Sequence, residues 1–261
     1  MTASSTSVAR PAPLLRSIVA LASMELRLAL RRGENLLVMI LIPVAVLLFF
    51  SGLGIIPLAT GSAVDFLLPG SLALAIIATS LVNLGIATAY ERSYGVLKRL
   101  GGSPLPRGGL VAAKLLAVVA IEIVQVVLLL ATGLLALGWR APSGFEVVTG
   151  VALLVVGLLL GTLVFAGLGL LMAGRLRAEA TLALANALFL AFLMLGGIVL
   201  PLDHLPGWLA SIASVLPANA LADVFRVALG GPGANLGPDL ANLAVWGGLA
   251  SGLAARTFRW E

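Results

Sequence analysis

Residues 115–137 read LLAVVAIEIVQVVLLLATGLLAL. Fifteen of these 23 residues are Leu, Ile or Val, and Glu122 is the only charged one. A helix needs about 20 apolar residues to cross the hydrocarbon core of a bilayer, so the stretch is long enough to span. The acid does not prevent insertion. Each aliphatic residue favours the bilayer by about 0.4 kcal/mol, against about 3 kcal/mol for one mid-span acid. The stretch reads as a membrane helix, and the rest of the chain offers others like it.

Between charged positions the candidate spans are 36–57, 67–89, 111–137, 147–173, 181–200 and 238–255. The last has only 16 uncharged residues between Asp239 and Arg256, which sets Asp239 at an interface. Composition agrees. Of 261 residues, 61% are hydrophobic and 10% charged, where soluble domains have about 45–50% and 25%. That balance excludes an ordinary soluble enzyme. The absence of cysteine excludes disulfides and thiolate chemistry. A single histidine, His204, excludes a multi-histidine metal centre, and no metal site is expected.

Six spans put both termini on one side. Fourteen Lys and Arg then fall on that side, and only Arg140 and Arg226 on the other. By the positive-inside rule both ends are cytoplasmic. The sequence pI of about 10.7 thus follows from topology and anionic lipid, with no nucleic-acid partner needed. Residues 1–13 are expected to form a disordered tail rather than a signal peptide. Residues 14–35 are expected to hold an amphipathic helix on the cytoplasmic surface. Arg16, Ser23, Arg27 and Arg31 share one of its faces; Leu14, Ile18, Leu21 and Leu28 share the other. Glu25 falls within the apolar face, so it is expected either to pair with a cation from another segment or to turn toward a protein partner.

Catalytic sets are missing from the sequence. No Walker-type G-x-x-x-x-G-K-[ST] or H-E-x-x-H occurs, so direct ATP binding is not expected. Ser251 stands beside Gly252 in the sixth stretch, but small residues in spans serve helix packing. The same reading applies to Gly157-x-x-x-Gly161 and Gly248-x-x-x-Gly252. Glu122 and Gln125 are the strongly polar pair deep in the third stretch. Lys114 lies eight residues away, about 12 Å along the helix, too far for direct pairing. Glu122 has two readings: a proton relay or cation site, as intramembrane acids often are, or an interhelical hydrogen bond. Thr79, Ser80 and Asn83 in the second stretch, and Thr181 and Asn186 in the fifth, are further intramembrane polar groups. Thr79, Asn83, Glu122, Gln125 and Asn186 are the candidates for a substrate path.

Two other segments carry more information. The loop YERSYGVLKRLGGSPLPRGGLVAAK, 90–114, has a short charged helix, a Gly-Gly break and a Ser-Pro-x-Pro turn. Ser103 suits a helix cap and Pro104 a first turn, while Leu97 and Leu100 suit docking. The segment after the fifth stretch is too apolar for a solvated loop and too rich in proline for a span. It is expected to form short helices over 207–215 and 219–229, packed against protein near the interface. There Trp208 suits an interfacial anchor, and Asp223 and Arg226 are spaced for a local ion pair.

At these two segments the chain resembles the type-2 ABC exporter permeases. The loop pattern E-R-x-x-G-x-L-x-R-L-x-x-S-P-L-x-R is carried by Glu91, Arg92, Gly95, Leu97, Arg99, Leu100, Ser103, Pro104, Leu105 and Arg107, followed by Lys114. The outer segment matches through Leu200-Pro201, Pro206, Gly207, Trp208, Leu216-Pro217, Asp223, Phe225 and Arg226. The likeness is to the drug-type subgroup, including daunorubicin exporter permeases. Lys98 reverses the charge usual in that loop, and Ala113 replaces a common glycine.

The resemblance implies an all-α integral membrane fold: six transmembrane helices, an N-terminal amphipathic interfacial helix, a cytoplasmic coupling helix, and short broken outer helices before the sixth span. Residues 36–261 would form the permease domain. The implied function is export of a drug-like molecule or lipid across the cell membrane, with the chain itself non-catalytic. No cofactor is bound by this chain; ATP and Mg belong to a partner ABC ATPase present in two copies. That ATPase would dock on 90–108, through the motif residues just named. A second permease, identical or paralogous, and membrane lipid are the other implied partners. The cargo path would lie between the first, second and fifth spans. Rival readings are a polysaccharide or glycolipid exporter and a proton-coupled secondary transporter using Glu122, the latter expected to show internal repeats and further buried acids.

Overall fold

The computed structural model describes residues 13–31, 33–53, 62–101, 105–142, 144, 146–231 and 236–258; of residues 34–36, 101 and 107 only the backbone is described. Ser103, Pro104 and almost all of the expected N-terminal tail lie outside the described residues. The fold is all-helical, with no strand among the described residues. We number the helices α1 (Leu14–Arg31), α2 (Gly33–Leu53), α3 (Ala63–Ser93), α4 (Val96–Gly101), α5 (Arg107–Leu135), α6 (Val147–Arg175), α7 (Ala178–Leu195), α8 (Gly207–Val215), α9 (Pro217–Ala228) and α10 (Leu236–Thr257).

α3 is the central helix. A capping box starts it: Ser62 Oγ accepts from the Asp65 N–H, and the Asp65 carboxylate accepts from the Ser62 N–H at 3.1 Å. Every residue from Leu67 to Leu81 is buried, as expected of a helix that is apolar on all sides. Its neighbours are α2, α5, α6, α7 and α9. Over Ile77–Asn83 the helix widens into a π-turn, and the Leu84 N–H reaches back five residues to the Thr79 carbonyl. Such turns mark functional sites often enough to direct attention there. Glycines let α6 approach at this point. A Cβ on Gly169 would stand 2.9 Å from the Leu81 carbonyl oxygen and 3.0 Å from that of Ser80.

Among the described residues, four helices are long and apolar enough to cross a membrane: Ala63–Ser93, Gly108–Leu135, Val147–Arg175 and Ala178–Leu195. The α8–α9 pair, bent by 75°, makes a fifth candidate. The first and last of the six expected stretches are helical as α2 and α10, but neither meets the same measure. In α2 the apolar run is Leu37–Leu53, and α10 carries Asp239 in its first turn.

Local details differ from expectation for identifiable reasons. The fifth stretch ends at Leu195, not 200. Gly197 adopts φ +61°, a left-handed conformation suited to glycine. Residues 198–200 then pass across α3, so close to Gly70 that a Cβ there would stand 2.5 Å from the Ile198 carbonyl oxygen. α5 starts at Arg107 behind Pro106 at the cap position, beyond the proposed Ser103 start. The two outer helices form nearly as expected, but α9 begins at Pro217 itself, because proline suits a first helical turn. Gly157 and Gly161 do receive a helix: added Cβ atoms would meet Phe225 at 2.7 Å and Leu221 at 2.8 Å. Gly248 and Gly252 face open space. The close α6–α10 crossing runs instead through Gly167, with Ser251 Oγ donating to the Leu163 carbonyl at 3.0 Å.

Candidate functional site

A cavity of about 560 Å³ lies between α2, α3 and α7. Its wall is mainly apolar, with Met39 and Ile42 from α2, Val82 and Ile86 from α3, and Leu182 and Phe189 from α7. The amides Asn83 on α3 and Asn186 on α7 also line it, and Tyr90, Glu91 and Tyr94 line the end nearest the 90–101 segment. The tyrosine rings stack with centroids 6.0 Å apart. The Asn186 amide donates to the Leu182 carbonyl at 2.9 Å, leaving its oxygen as an acceptor. Such a cavity can hold an apolar body and hydrogen-bond a polar part.

Of the five path candidates, the structure brings only Asn83 and Asn186 to this cavity. Thr79, Glu122 and Gln125 are gathered behind it, in a buried cluster that joins four helices. Thr79 Oγ1 donates to Gln125 Oε1 at 2.8 Å, and Ser80 Oγ donates to Glu122 Oε1 at 2.5 Å. Thr162 Oγ1, from α6, lies 2.5 Å from Glu122 Oε2 and 2.7 Å from the Leu158 carbonyl. Both hydroxyls from α3 belong to the π-turn.

Gln125 explains part of this cluster. Pro43 sits inside α2 and has no N–H to give the carbonyl four residues back, that of Met39. In lipid such a carbonyl needs another partner. Gln125 Nε2 supplies it, donating to the Met39 oxygen at 3.1 Å. One proline in α2 thereby calls for one amide in α5. The sequence reading missed Thr162 and the Met39 carbonyl. The detectable signals were a proline within an apolar helix and a hydroxyl next to Gly161.

Near the basic end, Lys114 is the hub of a second cluster. Its ammonium lies 2.8 Å from Glu25 on α1 and 2.7 Å from Glu91 on α3. Lys114 is 4% exposed. Glu25 therefore meets a cation from another segment, α5, and the pair fastens the amphipathic helix to the bundle. In the next position of the loop motif, the Arg92 guanidinium donates to the Leu176 carbonyl at the end of α6. Glu91 and Arg92 thus hold the loop in place from within.

The remaining loop residues divide by exposure. Leu97 is fully buried and packs α4 inward, contrary to its expected docking role. Gly95 makes the turn between α3 and α4 with φ +70°. Leu100 is half-buried, and Lys98 and Arg99 are exposed, as are Tyr94 and Val96. The outward face of this segment is therefore basic and aromatic.

At the opposite end, Arg226 ties the outer segment together. It donates to the Asp223 carboxylate and to the Gly197 carbonyl, and stacks over the Phe66 ring with its guanidinium carbon 4.5 Å from the centroid. Asn219 donates to Asp223 at 3.0 Å. Trp208 is 69% exposed on α8, available to an interface. Pro206 precedes α8 and Pro217 opens α9, so each proline marks a helix start. Asn242 and Trp246 of α10 both donate to the Val215 carbonyl between these helices, at 3.0 and 3.1 Å.

The chain is thus a helical bundle built for a membrane, with a cavity between three of its helices. A family model described as ABC-2 type transporter matches residues 16–229, more than half of the chain, and the chain belongs to that family. It is an integral membrane protein and a transport permease of the ABC class. No curated protein matches it.

Proposed function

We propose that the chain is the permease subunit of an ATP-driven exporter of hydrophobic or amphipathic cargo. The observation that carries this reading is the cavity between α2, α3 and α7. Its apolar wall with two lining amides suits a drug-like molecule or lipid with one polar part. The likeness to the drug-type subgroup supports the former. In this reading α2 and α10 complete six spans, both termini are cytoplasmic, and cargo leaves the cytoplasm or the inner leaflet of the cell membrane. Two permeases, each beside a separate ATPase subunit that binds ATP and Mg, form the working complex.

The ATPase docks on the outward face of residues 90–108, at Tyr94, Val96, Lys98 and Arg99, with Leu100 at the edge. Glu91, Arg92, Gly95 and Leu97 set the shape of that face. Gly95 is a poor test site, since any side chain at its positive φ is strained. The exposed cations are better. Gentle solubilisation from the native membrane is expected to bring along vanadate-sensitive ATPase activity, and Lys98→Glu with Arg99→Glu is expected to release it. Purification of the wild-type chain without ATPase activity would overturn the docking assignment. Val82→Trp, which fills the cavity, is expected to abolish export while the ATPase still co-purifies. Unchanged export by that variant would overturn the cavity assignment.

A further inference from the structure

A second cavity of about 540 Å³ lies on a different side of the bundle, between α5, α6 and α10. Its floor is α6, with Leu163, Ala166 and Leu170; its rims are Val111 and Ala112 on α5 and Ala255 on α10. Ala112 and Ala255 are exposed, so the groove opens outward. The tight α6–α10 crossing at Gly167 and Ser251 fixes one wall. The other wall is α5, so the slot is rimmed by small residues, Ala112 on α5 and Ala255 on α10.

The groove ends in positive charge. Arg256 and Phe258 line its mouth, together with Gly108 in the first turn of α5. Arg175, the last residue of α6, directly follows Gly174, which abuts the Phe258 ring: a Cβ on Gly174 would be 2.7 Å from it. Arg175 and Arg256 are exposed. No carboxylate lies within ion-pair distance of either among the described residues. The first N–H groups of α5 have no intrahelical acceptors and add to the positive potential. The nearby carboxylates of Glu25 and Glu91 are directed to Lys114.

We infer that this groove is a binding site for one anionic phospholipid. An acyl chain lies in the slot between α5 and α10, and the headgroup phosphate sits at Arg256 and Arg175. Basic pockets between transmembrane helices hold anionic headgroups by the same combination of charge and apolar depth. The site is separate from the α2–α3–α7 cavity. It rests on the function proposed above only for the leaflet that supplies the lipid, the cytoplasmic one. A chain with another activity could still hold the lipid, so the test below and the export test fail independently.

The test is native mass spectrometry of the full chain in detergent micelles, titrated with phosphatidylglycerol or phosphatidylcholine. The wild type is expected to retain one phosphatidylglycerol under conditions that strip phosphatidylcholine. Arg256→Gln is expected to weaken that retention about fivefold, the equivalent of about 1 kcal/mol for one arginine near anionic lipid. Ala112→Trp, which fills an exposed slot without touching the core, is expected to remove it. Arg140→Gln, at the opposite end, is expected to change nothing. Equal retention of both lipids, or of neither, would overturn the site. Loss in Arg256→Gln without loss in Ala112→Trp would reduce it to surface attraction and overturn the groove.

Discussion

α5 carries two buried polar clusters two turns apart, and they are built from different chemistry. At Lys114 the partners are carboxylates, Glu25 and Glu91, and the cluster is ionic. At Glu122 and Gln125 the partners are hydroxyls and a backbone carbonyl. The difference follows depth. Lys114 is near the basic end, where Glu25 and Glu91 still keep 20% and 21% exposure. Glu122 and Gln125 are at 0% and 1%, and among the described residues no cation is within ion-pair distance of Glu122. An ion pair joins α1 to the bundle; short hydrogen bonds join the helices to one another.

The largest effect expected from this comparison is at the ionic cluster. Lys114→Met leaves two carboxylates facing each other without their shared cation. Removing one partner of a buried pair costs about 3–5 kcal/mol, and the remaining exposure of Glu25 and Glu91 sets the expectation at the lower end. A thermal or denaturant unfolding series in detergent measures it. Adding Glu25→Gln and Glu91→Gln to Lys114→Met is expected to recover most of the loss, since replacing a whole buried ionic set by neutral groups is often neutral. A triple variant as unstable as the single one would mean that Lys114 acts by packing rather than by charge.

A smaller effect is expected at Gln125, and it depends on a residue in another helix. Gln125→Leu leaves the Met39 carbonyl and the Thr79 hydroxyl without their partner, at about 1–3 kcal/mol for an unsatisfied buried group. Pro43→Ala restores a backbone N–H for that carbonyl. In the Pro43→Ala background, Gln125→Leu should therefore cost less, by a coupling within the range of about 0.5–3 kcal/mol seen for contacting residues. A double-mutant cycle reads the coupling directly. Strict additivity would show that the proline and the amide are unrelated.

These clusters also show what the sequence could reveal. The helical class was readable from 115–137, because apolar length is a local property. The outer helices were readable because prolines break the segment, although the second begins at Pro217 rather than at 219. Glu25 was recognisable as needing a cation or a protein partner, since an acid on an apolar face has few alternatives. Its partner was not, because Lys114 lies on a different helix and pairing depends on packing. The same limit hid the role of Gln125, whose target is a carbonyl made available by Pro43. The path candidates divided for a related reason. Polarity inside a span identifies residues that need partners, whereas facing a cavity or a neighbouring helix is decided by rotation about the helix axis. Leu97 illustrates this on a small scale. It stands between exposed Val96 and Lys98 and is itself wholly buried.

The smallest effect is expected where the sequence reading stayed divided, at Glu122. Thr162 has one hydroxyl proton and two acceptors within reach, the Leu158 carbonyl and Glu122 Oε2. A glutamine at 122 resolves that competition. Its carbonyl oxygen accepts from Ser80, and its amide donates to Thr162, whose proton is then free for Leu158. Glu122→Gln is therefore expected to change stability by no more than about 0.6 kcal/mol, the average for an interhelical hydrogen bond in a membrane, and to leave export intact. Glu122→Ala removes the acceptor of Ser80 and is expected to destabilise. A transport assay across a pH series separates the two roles of the acid. If Glu122→Gln abolishes export or its dependence on a proton gradient, the side chain moves protons. If export survives Glu122→Gln and falls with the stability of Glu122→Ala, the acid serves as the hydrogen-bonding centre that keeps α5 and α6 against the π-turn.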